Sequence, residues 1–459
     1  MENRENFGTK LGAILAAAGS AVGLGNVWRF PIETGENGGA AFIIIYILCI
    51  IALGLPIMIS EFLIGRHTHS NTAGAYRILA NGTKWKWVGR LGVFTGWLIL
   101  CYYGVVGGWT LHYTALSATN AFKGVPASQF GDIFNNLVSD PCVPALWLLL
   151  FTAITHYVIT QGVQSGIEKF SKIMMPTLFI ITIMLTVCSL MLPGASEGVR
   201  FLLMPDWSKV TSTTILEAMG QAFFSLSLGM GCLCNYASYF EPSTPLAKTA
   251  LNVSVIDTVI AIMAGFIIFP SVFNIGMDPN EVGAGASLTF VSLPNVFQQA
   301  FGDGSILAVI FSTLFYFLLF VAALTSAISL HEVATAYITE EFNMPRKKGA
   351  TIITCSIFVF GLLCSLSFGP LSGITLFGRN IFSMFDDLSG MILLPLGGML
   401  IAIFAGWVLD RQLYREEITN SGEIRAPYFR LLIFALRYVA PIAIGLVFLD
   451  QLGAFNFLK

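Results

Sequence analysis

Apolar runs long enough to cross a bilayer recur along the whole chain, separated by short polar stretches. Run length and the placing of glycine, proline and charge predict about eleven membrane-spanning helices. They fall near residues 10–32, 39–65, 89–118, 143–160, 167–192, 214–239, 246–273, 304–334, 349–367, 379–409 and 429–450. The fold class is therefore an all-α polytopic membrane protein. Span one is interrupted. Its stretch Gly19-Ser20-Ala21-Val22-Gly23-Leu24-Gly25-Asn26-Val27-Trp28-Arg29-Phe30-Pro31 places three glycines, an amide and a cation where an unbroken helix needs none. Each glycine weakens a helix by roughly 1 kcal/mol relative to alanine. A charge near the bilayer centre costs roughly 2.5–3.5 kcal/mol. Backbone released from helical bonding in lipid must find other partners. A break from Ala21 to Gly25 is predicted, with freed carbonyls facing a cation such as sodium and freed N–H groups facing an anion such as a carboxylate. The alternative is that the glycines only let a neighbouring helix approach closely. A dinucleotide-binding fingerprint fits poorly, because Trp28 stands where a third glycine is needed and the surroundings are membrane-like.

Span six carries a matching interruption, Gly229-Met230-Gly231, after Phe223-Phe224-Ser225-Leu226-Ser227-Leu228. Glycine-interrupted segments at corresponding positions of two halves mark the site of an inverted-repeat transporter. The expected organisation is a first repeat at 1–192 (spans one to five) and a second at 193–409 (spans six to ten). A loop and span eleven follow at 410–459.

Composition agrees with this pattern. The 459 residues are 55% hydrophobic and 11% charged, against roughly 25% charged for a soluble chain. The net charge of −2 offers no reason to expect nucleic acid. The start of the chain is mixed in charge and does not read as a secretory signal. The eight cysteines are scattered and are expected to be small buried residues, and the histidines form no ligand pattern. Lys and Arg collect on one side of the spans, including Arg4, Lys10, Arg66, Arg77, Lys84, Lys86, Arg90 and Arg346 to Lys348. That side, with the N-terminus, is expected to be cytoplasmic, which leaves the C-terminus outside.

Polar residues inside the apolar runs suggest chemistry. Span eight carries Ala322, Thr325 and Ser326, span seven carries Asp257, span three carries Tyr102 and Tyr103, and Asp386 and Asp387 open span ten. The two hydroxyls of span eight could simply bond back to the preceding turn, and Tyr103 could be a core aromatic. Asp257 is harder to dismiss, since a carboxylate in a membrane needs a cation, a proton or a partner. Hydroxyls, carbonyls, an amide and one carboxylate are hard oxygen ligands, suited to an alkali or alkaline-earth ion.

These motifs, with Glu36-Asn37-Gly38-Gly39-Ala40, Tyr236-Ala237-Ser238-Tyr239 and Leu324-Thr325-Ser326, resemble the neurotransmitter:sodium symporter family, in its bacterial, leucine-transporter-like form, over essentially the whole chain. The resemblance implies a 5+5 inverted repeat with broken helices one and six, and two sodium sites. One would use the Ala21 carbonyl, Asn26, Ser225, Asp257 and the substrate carboxylate. The other would use the Gly19, Val22 and Ala322 carbonyls with Thr325 and Ser326. The substrate carboxylate would meet the Tyr103 hydroxyl and N–H groups near Leu24 and Gly25. Its amino group would face carbonyls near Ala21, Phe224 and Ser227. The side-chain pocket would be lined by Ser20, Ile99, Tyr103, Phe224, Met230, Ser326 and Leu330. An outer gate would pair Arg29 with Asp386, with Phe224 as a lid. An inner gate would pair Arg4 with Glu340, braced by Phe7, Ser238 and Tyr239. Gly166 and Pro176 bracket nine residues of span five that the family unwinds to open a water path.

Two departures stand out: many members have a twelfth span, and many carry Asn where Asp257 stands. A carboxylate beside the cation removes the expected need for chloride. The implied protein is not an enzyme. It is a sodium-coupled importer of a neutral, bulky hydrophobic or aromatic L-amino acid in a bacterial inner membrane, with no obligatory protein partner. A proton-coupled carrier using Asp257 is the alternative, and a non-transporting sensor or channel is a third reading.

Overall fold

The computed structural model describes residues 6–278 and 286–451. Arg4 and Lys459 lie outside them. The described residues form a helical bundle with nine helices long and apolar enough to cross a membrane, or ten when the bent pair Lys10–Ala21 and Gly25–Glu36 counts as span one. The others are Ala40–Thr68, Lys86–Ala118, Val143–Thr160, Val163–Leu190, Leu246–Asn274, Ile306–Glu341, Arg346–Leu366, Ile381–Val408 and Phe429–Asp450. They are spans two to five and seven to eleven. Span six consists of two shorter helices, Ser212–Ser225 and Cys232–Ala237, around a non-helical break. Each half by itself falls short of a bilayer.

Both expected breaks are present. Span one bends by 51° between its halves. Val22 is extended there, and the Gly23 N–H is accepted by the Asn26 side chain at 2.9 Å. The glycines answer to close approach. A Cβ on Gly23 would lie 2.5 Å from the Ser326 hydroxyl, and one on Gly25 would lie 2.9 Å from the Phe224 ring. In span six the requirement is conformational. Gly229 and Gly231 have φ of +84° and +76°, and Ser227 also lies in the left-handed region. Glycine adopts these angles without a Cβ penalty.

Span five is wound in this conformation. Residues Val163–Leu190 are helical throughout, with a wide turn at Val163–Glu168 and Pro176 inside. A Cβ on Gly166 would meet the Val158 carbonyl at 2.2 Å, so packing accounts for this glycine here. The Glu168 carboxylate accepts from the Gly8 N–H at 2.6 Å and the Thr9 hydroxyl at 2.9 Å, tying the N-terminal segment to span five. The cysteines also differ from expectation: Cys142 and Cys355 are exposed and Cys188 is half-buried, because apolar side chains in a bundle of this kind also face outward.

Candidate ion and substrate site

The site forms where the two broken spans lie against spans three, seven and eight. Asp257, fully buried in span seven, is surrounded by neutral donors. The Asn26 amide donates to its Oδ1 at 2.7 Å, the Ser225 hydroxyl to its Oδ2 at 2.8 Å, and the Tyr46 hydroxyl to its Oδ2 at 3.3 Å. Asn26 also donates to the Ser225 hydroxyl at 3.0 Å. Gln221 reaches into the same break, donating to the Gly25 carbonyl at 2.9 Å. A buried carboxylate held by neutral groups alone retains an unbalanced charge, which a bound cation would neutralise. Among the described residues no three His, Cys, Asp or Glu side chains cluster as metal ligands. The donors suit a hard monovalent ion better than zinc or copper.

A second oxygen cluster lies on the other side of the break in span one. The Ser326 hydroxyl lies 3.2 Å from the Val22 carbonyl and 3.4 Å from the Ser20 carbonyl. The Thr325 hydroxyl lies 3.5 Å from the Val22 carbonyl. Thr325 also bonds back to Val321 and Ala322, at 3.1 and 3.0 Å, so the back-bonding alternative is met by the same side chain. Gly19 packs beside Thr325, where a Cβ would lie 3.5 Å from the Thr325 Cβ.

Between the clusters lies a small cavity. Its polar lining comes from Tyr103, Ser227 and Ser326, and its apolar lining from Ile99, Phe224, Met230 and Leu330, with Ala21, Gly23, Leu24 and Gly25 of span one. No charged side chain lines it. The Leu24 N–H donates to the Tyr103 hydroxyl at 3.2 Å, and the Ser326 hydroxyl is a second hydrogen-bond partner of the same group. Ser20 is a correction. Its side chain does not line the cavity but donates to the Ser329 hydroxyl at 2.9 Å, while its carbonyl takes the Ser227 hydroxyl at 2.8 Å.

At the expected outer gate the Arg29 charge acts on the Asp386 carboxylate, with no direct ion pair between the two among the described residues. Arg29 pairs with Glu33 at 3.1 Å, one helical turn away, and its guanidinium lies over the Phe224 ring at 5.3 Å. Glu33 sits on the same helix face at i,i+4, which favours this direct pair. Asp386 also neighbours the Tyr102 hydroxyl, and Asp387 pairs with Arg379 at 3.2 Å. At the other end Phe7 packs edge-on against Tyr236 and Tyr239, and its N–H donates to the Tyr239 carbonyl at 3.0 Å. The Ser238 hydroxyl bonds to the Asn235 carbonyl, and Glu340 accepts the Asn71 N–H at 2.7 Å.

Sequence reasoning missed three buried acids: Glu168, which ties the N-terminal segment to span five, and Glu61 and Glu332. Glu61 in span two accepts the Gly229 N–H at 2.9 Å and the Cys234 N–H at 3.3 Å, so it holds the break in span six. Glu332 in span eight accepts the Tyr239 hydroxyl at 2.7 Å and both ends of the Arg346 guanidinium, at 2.9 and 2.5 Å. For Glu61 and Glu332 the signal was the one that singled out Asp257: an acid inside an apolar run. Removing Glu332 strands the Arg346 charge. Glu332→Ala should therefore destabilise the fold by about 3–5 kcal/mol, read as an earlier thermal transition, with Glu332→Gln milder.

The comparisons with known proteins converge. The sequence pattern of the sodium:neurotransmitter symporter family matches residues 4–147 and 128–458. The chain belongs to that family. It is thus a sodium-dependent transporter, a multi-pass membrane protein and a symporter rather than an enzyme. A sodium-dependent transporter of Bacillus subtilis, YhdH, is 38% identical over 98% of both chains. One from Haemophilus influenzae is 34% identical over 98% of this chain and 99% of its own length. The crystal structure of MhsT in complex with L-phenylalanine superposes with a TM-score of 0.87. It is 43% identical and covers 98% of this chain and all of that one.

Proposed function

We propose that this symporter couples two sodium ions to the uptake of a neutral, bulky apolar or aromatic L-amino acid, without chloride. The observation that carries this reading is an uncharged cavity set between two oxygen clusters at paired helix breaks. A carboxylate reaching from the cavity toward Asn26 and Ser225 would complete the first ion's shell. Each ligand then stabilises the other's site, a reciprocal coupling typically of about 1–3 kcal/mol. The carboxylate of Asp257 supplies the anion beside that ion. Residues 1–192 and 193–409 are the two repeats, and spans one, two, six and seven move against the rest. The positively flanked end faces the cytoplasm across the plasma membrane. L-phenylalanine bound to MhsT is consistent with a large substrate.

The substrate size follows from Met230. Methionine is slim and adaptable, so it leaves room for a ring between Gly229 and Gly231. Uptake into vesicles should stop when choline replaces sodium. In competition with one labelled substrate, the wild type should accept Phe, Tyr or Trp. Met230→Phe should lose the large rings by at least about tenfold while keeping Leu. A wild type that takes only Gly or Ala would defeat the size argument, and uptake that persists in choline would defeat the coupling.

A further inference from the structure

An open cleft of about 650 Å³ lies where span three begins, away from the ion and substrate site. One wall is a stripe of span three, Trp87, Leu91 and Phe94, at i, i+4 and i+7 on one helix face. Trp87 is 58% exposed and Phe94 47%. The opposing wall includes Leu400 of span ten. Lys84 and Arg90 stand at the cleft, with exposed Lys86 beside them, and no acidic side chain lines it. The Arg90 guanidinium lies over the Trp87 ring at 4.8 Å. Among the described residues, none of these three cations forms an ion pair. Other cations at the same end are neutralised: Arg77 by Glu341 at 2.5 Å and Arg66 by Glu417 at 2.6 Å.

We propose that this cleft binds one anionic phospholipid, with its phosphate between Lys84 and Arg90 and an acyl chain along Leu91 and Phe94 toward Leu400. The charge complementarity is one-sided, and the apolar wall extends from it in the direction an acyl chain takes. From Lys86 to Phe94 the helix rises about 12 Å, enough to run from head group into hydrocarbon. Tryptophans beside basic residues are the usual furniture of the membrane–water interface, and basic pockets between spans take anionic head groups. A lipid held there joins span three, which carries Ile99 and Tyr103, to span ten. This inference rests on the membrane-spanning fold and not on the substrate reading.

The test is lipid retention by the full-length protein in nanodiscs, measured by native mass spectrometry after delipidation. Phosphatidylglycerol is compared with phosphatidylcholine. The wild type should retain phosphatidylglycerol preferentially. Each cation near an anionic surface contributes about a fivefold factor, so Lys84→Gln with Arg90→Gln should cut that preference by about twenty-five-fold. Leu400→Trp, which narrows the acyl end of the cleft and leaves every charge in place, should cut it as well. The charge-matched pair Lys347→Gln and Lys348→Gln should not, and added inorganic phosphate should not displace the lipid. Equal retention of both lipids by the wild type overturns the proposal. So does wild-type retention by both cleft variants, an equal loss in the control pair, or displacement by phosphate.

Discussion

Asp257→Asn should lower the apparent sodium affinity by at least about a hundredfold, or else make binding depend on an added anion. The Asp257 carboxylate is fully buried, and its side-chain partners Asn26, Ser225 and Tyr46 are all neutral. An ion beside it gains Coulomb energy of about 4 kcal/mol at 4 Å and an effective dielectric of 20. The amide removes that attraction. It also places a second NH₂ group near the Asn26 amide, so one donor must turn away. Sodium titration of labelled amino-acid binding, in chloride and in gluconate, reads both effects. An unchanged sodium midpoint in the variant, or a strong chloride requirement in the wild type, would contradict the assignment.

Thr325→Val combined with Ser326→Ala should abolish concentrative uptake while leaving a folded protein. These hydroxyls meet the Val22 carbonyl at 3.5 and 3.2 Å, where span one leaves the helix in an extended conformation. A coupling of about 1–3 kcal/mol corresponds to a loss of sodium stimulation of roughly 5- to 150-fold. The competing account is that Thr325 only bonds back to Val321 and Ala322. Removing such bonds costs roughly 0.5–1.5 kcal/mol each of stability and leaves sodium stimulation unchanged. Counterflow and net uptake, measured beside thermal stability, separate the two. A less stable but fully sodium-driven variant would assign these hydroxyls to the helix alone.

The family match and the matching structure bear out the reading of motifs along the chain, because those signals are local. A run of apolar residues reports a span wherever it sits, and glycines beside Asn26 report a break without knowledge of the neighbour. Met230, Phe224, Tyr103 and Leu330 line one cavity although up to 227 positions separate the first and last of them. Glu61 and Glu332 obeyed the same rule as Asp257 but passed unnoticed. Each lies toward the end of its span, where a charge costs less, and only packing reveals that both are fully buried.

By itself the sequence determined the number and class of the helices, the two interruptions, and which polar residues were too costly to be incidental. Those follow from residue-by-residue solvation, which needs no partner. Only the tertiary structure decided the partners. Arg29 made its direct ion pair with Glu33, Ser20 turned to Ser329, and Glu61 and Glu332 each bound a different span. Hydrogen bonds and ion pairs favour the nearest well-aligned group, and nearness between spans is a property of packing that no single stretch of chain contains.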